Sequence, residues 1–176
     1  MAEYDEPEER ISELFRERAQ QDVERCEVAL YKAAMLGEPI VVEATPSDTG
    51  ATRQGWRTQR TGDGAWLVND APLAAILEFG SRPHWPPLKP ILEWVVRKWG
   101  LDLAGGRRSI PGDSIENVPW PTYQAAKTVQ EKIALKGTKP HYMIRKNLDE
   151  LTRIAKRETG RAMRNRQSFN DDDIPF

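Results

Sequence analysis

Reactive side chains are scarce: 176 residues hold one cysteine and two histidines. A lone thiol, Cys26, excludes an internal disulfide framework and fits a reducing compartment. Two histidines and one cysteine cannot by themselves complete a four-ligand zinc site of the His/Cys type. No apolar run approaches the ~20 residues needed to cross a bilayer, so no membrane partner is expected. The first thirty residues hold ten acids and no hydrophobic block, and a secretory signal is not expected there. A formal net charge of −1 and a pI near 6.2 argue against a uniformly basic DNA-binding surface. The length suits one domain, which would bury roughly 70% of its unfolded surface.

Charge is nonetheless unevenly placed. Residues 1–30 set ten acids against four arginines, whereas residues 137–167 set nine Lys/Arg against Asp149, Glu150 and Glu158. Such blocks read either as solvated helix faces or as opposite ends of identical subunits that meet.

The apolar positions Ile11, Leu14, Phe15, Ala19, Val23, Cys26, Ala29, Leu30 and Ala33 recur at steps of three and four, predicting a helix from Glu8 to Leu36. Pro7 suits its first turn and Gly37 its C-terminal cap. The β-branched run Pro39–Ala44 reads as a strand. Residues 55–60 and 64–69 read as a hairpin around Thr61-Gly62-Asp63. Asp48 or Thr49 can cap a short helical turn between them. Further helices are predicted at 73–79, closed by Gly80, and at 91–99, 122–135 and 143–166. In the second of these Trp99 falls on the core face, and in the last Leu148 does. Glycines and prolines at 105, 106, 111, 112 and 119 mark a long loop over 101–119. The stretch 168–176, with Asp171-Asp172-Asp173, reads as a flexible acidic tail.

The search for catalytic chemistry finds no constellation. His84 stands among prolines and His141 follows one; both read as loop residues. Cys26 lies in an apolar stripe and reads as a buried, inert thiol. Gly105-Gly106-Arg107-Arg108 lacks the Lys-Ser/Thr ending of a phosphate-binding loop. No catalytic, metal or cofactor residue is assigned, and no enzyme activity is expected. Nucleic acid has more to engage: Trp56-Arg57, Arg60, Trp94, Arg97-Lys98-Trp99 and Arg107-Arg108 interleave rings that can stack bases with cations that neutralise phosphates.

Two segments are informative together. One runs Asp48-Thr49-Gly50-Ala51-Thr52-Arg53-Gln54-Gly55-Trp56. The other runs Asn69-Asp70-Ala71-Pro72-Leu73-Ala74-Ala75-Ile76-Leu77-Glu78-Phe79-Gly80-Ser81. With Gly137-Thr138-Lys139-Pro140-His141-Tyr142-Met143-Ile144-Arg145 after them, they resemble the neck proteins of tailed bacteriophages, the head–tail joining or tail-completion family. Thr52 stands where that family usually has an apolar residue, Leu73 stands where an aromatic is common, and the stretch 83–135 is longer than in its compact members.

The resemblance covers about residues 8–160, and the chain reads as one α+β domain over residues 1–167, with a small antiparallel sheet packed against a long N-terminal helix and C-terminal helices. The resemblance implies a homo-oligomeric ring of six subunits in the virion neck, made in the host cytoplasm. Its partners would be the connector or head-completion protein on one side and the tail terminator or tail-tube protein on the other, with DNA passing through the lumen. A tail-terminator role and a cytoplasmic DNA-binding module are the alternatives.

The motif residues are Asp48, Thr49, Gly50, Trp56, Glu78, Phe79 and Gly80. Trp56 and Trp66 are expected to meet across the hairpin, Trp56 and Phe79 to be core residues, and Glu78 to pair with Arg53 or Arg57. Arg107, Arg108, Asp171, Asp172, Asp173 and Phe176 are the candidate assembly contacts.

Overall fold

A computed structural model describes residues 7–99 and 118–165. Its elements run α1 (Pro7–Ala44), α2 (Ala51–Gln54), β1 (Trp56–Thr61), β2 (Gly64–Asn69), α3 (Ala74–Phe79), α4 (Leu88–Trp99), α5 (Trp120–Lys136), a 3-10 turn (Arg145–Asn147) and α6 (Leu148–Arg164). This is the expected α+β class: a long N-terminal helix, a two-stranded antiparallel sheet and C-terminal helices. The described residues fall into two compact units. The first holds 7–41, 56–68 and 147–165, the second 42–55, 69–99 and 118–146.

The first unit is built on α1, which does not stop at Gly37. Helix continues through Pro39 to Ala44, where the sequence suggested a strand. Burial explains the correction: Val41 and Thr45 are fully buried while Glu43 and Ala44 between them are exposed. A spacing of four is a helical period, whereas a strand would alternate. Pro39 frees the Met35 carbonyl of its usual donor, but both residues are exposed, where water can take the amide's place. Gly37 is a contact position instead of a cap. A Cβ there would stand 2.6 Å from Cδ2 of Leu151, so its absence lets α6 approach α1 closely.

The hairpin forms as expected, with Gly62 and Asp63 at the turn and the Thr61 hydroxyl donating to Asp63 Oδ1 at 2.9 Å. Thr58 donates to Glu38 Oε2 at 2.7 Å and ties β1 to α1. The two tryptophans part company: Trp56 is 8% exposed and Trp66 is 62% exposed. Trp66 lines a cleft of about 280 Å³ together with Leu30, Ala33, Leu151 and Ala155. Cys26 is half-buried, less enclosed than expected. On α6, Ile154 is buried, while Leu148 is exposed because the helix begins there, after the 3-10 turn, instead of at Met143.

The second unit centres on α4 and α5. Ile91, Leu92, Val95 and Val96 of α4 pack with Ala126 of α5, flanked by Val129 and Ile133. Gln130 reaches from α5 to the Pro86 carbonyl at 2.8 Å, fixing the proline-rich stretch before α4. Trp99, expected in this core, is exposed at the end of α4 with its ring 6.2 Å from that of Trp94. The expected loop over 101–119, with Arg107 and Arg108, and the tail with Asp171, Asp172, Asp173 and Phe176 lie outside the described residues, save Val118 and Pro119.

Candidate functional site

Save for Trp56, which belongs to the first unit, the three motif segments converge within the second unit. α3 ends at Gly80, whose φ of 76° is left-handed and whose N–H closes on the Ile76 carbonyl at 2.7 Å. A Cβ on Gly80 would stand 2.5 Å from the Thr138 carbonyl, so the close approach of the third segment requires glycine. That segment is stitched to the end of α3. Ser81 and Thr138 form an isolated antiparallel bridge, and the Thr138 hydroxyl donates to Ser81 Oγ at 3.0 Å. One step on, the His141 amide donates to the Leu77 carbonyl at 2.7 Å.

Glu78 completes the joint. Its carboxylate, on a residue 7% exposed, accepts the backbone amides of Ile144 at 2.9 Å and Arg145 at 3.2 Å. Glu78 is therefore buried and paired, as the sequence suggested, but with amides instead of Arg53 or Arg57. Arg53 is occupied elsewhere, donating Nε and Nη2 to the Thr45 carbonyl at 3.2 and 2.8 Å. Phe79 is not a core residue: it is 65% exposed. Successive residues of a short helix point about 100° apart, so burying Glu78 turns Phe79 outward. The Arg145 guanidinium lies over both Phe79 and Tyr142, at 6.0 and 5.1 Å from the ring centroids. Tyr142 itself has a φ of 56°, and the buried Met143 follows it.

The first motif joins the same unit. Gly50, at a φ of 85°, leads into α2, and Thr49 Oγ1 accepts the Ala51 amide at 3.4 Å. Asp48 does not cap the turn. It receives Arg97 of α4, with Nη2 to Oδ2 at 2.7 Å and Nε to both oxygens at 3.2 Å. That hydrogen bond holds the Arg97 pKa above its ordinary value. Asn69 links the first two motifs, donating to the Thr52 carbonyl at 2.7 Å and accepting the Ala71 amide at 2.9 Å. The arrangement is a hydrogen-bonded brace with no nucleophile–base pair. His84 and His141 are exposed, and His84 Nδ1 lies 2.9 Å from the Arg82 carbonyl. Among the described residues no three His, Cys, Asp or Glu side chains cluster to hold a metal, and no helix is long and apolar enough to cross a membrane.

The first unit holds a charged cluster that sequence reasoning missed. Glu158, 3% exposed, lies on the apolar face of α6 and receives Lys32 at 3.1 Å, Arg157 at 3.0 Å and Arg161 at 3.1 Å. The Arg157 hydrogen bond, then that of Lys32, holds its carboxyl below the ordinary glutamate pKa, against the opposing effect of desolvation. A signal was present: Glu158 stands four residues after Ile154 and four before Ala162, inside an otherwise apolar stripe. Comparison of the chain with protein-family models, curated proteins and solved structures found no match.

Proposed function

We propose that the protein is a structural component of the neck of a tailed bacteriophage, forming a homo-oligomeric ring between connector and tail through which DNA passes. The observation that carries this reading is the joint itself. The three segments that resemble the neck family, joined by contacts 17 to 67 residues apart in sequence, act as one brace: Glu78 on Ile144 and Arg145, Ser81 on Thr138, Asn69 on Thr52. Motifs that serve one mechanical purpose fit a part whose task is shape.

A second observation supports assembly. Val23, Val28, Met35, Trp66, Phe79 and Trp120 are all exposed, although large and apolar. Side chains of this size left in water within each unit are available for contacts with a partner. The DNA-binding module gains less support, because Arg97, one of the two cations beside Trp99, is taken up by Asp48 and Glu93.

The test is the mass of the purified protein together with negative-stain images and labelling of virions. A closed ring with an open centre and label at the neck is expected. A chain that stays monomeric at all concentrations and labels no virion overturns the reading.

A further inference from the structure

Beside the Glu158 cluster, α1 and α6 leave a cleft of about 600 Å³ within the first unit. Its apolar floor is Val28, Ala29 and Ala162, its cations are Arg25, Lys32 and Arg161, and its acids are Glu24 and Glu158. Lys32 and Arg161 share the single Glu158 carboxylate with Arg157, so three positive heads divide one negative charge. Arg25 is also under-used. Its Nη1 is buried without a hydrogen bond, and its ion pair with Asp22 Oδ1 is long, at 3.7 Å. A buried guanidinium donor without an acceptor is costly unless something supplies one. The cleft thus offers apolar side chains below and, at the rim, three cations against two acids. Its complement is an acidic segment with apolar residues close by.

This chain carries such a segment: Asp171-Asp172-Asp173 followed by Ile174-Pro175-Phe176. We infer that the α1–α6 cleft is a docking site for the acidic segment 171–176 of a second copy. The three aspartates meet Arg25, Lys32 and Arg161, and the apolar residues meet Val28 and Ala162. The choice of a second copy rests on the ring reading, since a ring needs two different surfaces of one chain to meet head to tail. The cleft and its charge stand apart from that reading. Charge-assisted pairs at a partly enclosed site are stronger than exposed ones and set the register of the contact.

The probe is a fluorescent peptide of residues 166–176, titrated into full chain carrying Asp171, Asp172 and Asp173 all replaced by Ser, so that its own segment does not compete. Saturable binding is expected, weakened at least about tenfold by Arg161→Glu and by raised salt. Arg25→Gln touches none of the Glu158 contacts, so it keeps the test valid if Arg161→Glu fails to fold. It is expected to weaken binding several-fold at unchanged circular dichroism. Equal binding of a peptide with all three aspartates changed to Asn, or no effect of Arg25→Gln, overturns the proposal. If the unsubstituted chain excludes the peptide while remaining a monomer, the segment docks within its own chain and the second-copy assignment falls. Rings that form undiminished with the three aspartates replaced overturn the docking and leave the ring standing. Peptide binding by a chain that makes no ring does the reverse.

Discussion

Glu78 holds two backbone amides with two carboxylate oxygens, and no other side chain of its length offers two acceptors and no donor. Glu78→Gln keeps one acceptor and turns an NH₂ toward the second amide, leaving a buried N–H unpaired. A loss of about 1–3 kcal/mol is expected, and more for Glu78→Ala, read from urea denaturation midpoints. Glu158 makes a prediction in pH. Its carboxyl titrates below the ordinary glutamate value in the folded chain. The stability it contributes is therefore present above its unfolded pKa and lost as pH falls through its lowered folded one. Glu158→Gln should be less stable at neutral pH and should lose stability less steeply on acidification, measured by thermal melts across the acid range. The two tryptophans of the hairpin also differ in what they carry. Trp56→Ala should cost about 3–5 kcal/mol, whereas Trp66→Ala should cost under about 1 kcal/mol. At this scale the sequence was partly legible. Glu78 and Trp56 stood out, but backbone partners 66 and 67 residues away leave no pattern to read.

Elements were legible where side-chain period and end signals agreed. The hairpin turn, α3 with its Gly80 end, α4 and α5 lie close to the expected positions because their apolar spacing and their glycine or proline boundaries point the same way. They disagree at 37–44, where a glycine, a proline and three β-branched residues all speak against helix. Tertiary burial of Val41 and Thr45 at helical spacing overrides that local preference. The outcome makes Pro39 a discriminating position. In a helix interior it costs up to about 3 kcal/mol relative to alanine. Pro39→Ala should therefore raise the melting temperature, because the restored N–H can bond the Met35 carbonyl. In a strand the same change would bring no helical gain. Gly80→Ala should act in the opposite direction, since both its positive φ and the Thr138 carbonyl 2.5 Å from the new Cβ oppose it.

For the ring assembly proposed above, the decisive property is how much apolar surface the described residues leave in water. Two exposed indoles in the second unit carry the sharpest expectation. Trp120 stacks on Tyr123, with ring centroids 5.7 Å apart, and Trp85 lies under the Lys127 ammonium at 5.6 Å. Each is roughly two-thirds exposed, so removing it takes little from the folded monomer. Covering such a ring with a neighbour would contribute about 2–3 kcal/mol from apolar burial, before the entropy of association is charged against it. Because 1.4 kcal/mol is a factor of ten in an equilibrium constant, the loss of one contacting ring should weaken association about tenfold or more. Trp85→Ser and Trp120→Ser should therefore keep the melting temperature of the parent chain while shifting its mass distribution toward smaller species, measured at matched concentrations by sedimentation. Acid blocks near one end of the chain and basic blocks near the other predict a further dependence on ionic strength, because exposed charges attract only within the Debye length of about 8 Å at 0.15 M salt. Ring burial is nearly insensitive to salt and charge pairing is not. A salt titration of each serine variant therefore separates the two: an apolar contact lowers association by the same factor at every salt concentration, while an electrostatic one loses its effect as salt rises. Identical mass distributions for parent and variants at all salt concentrations would place these indoles outside any contact between copies.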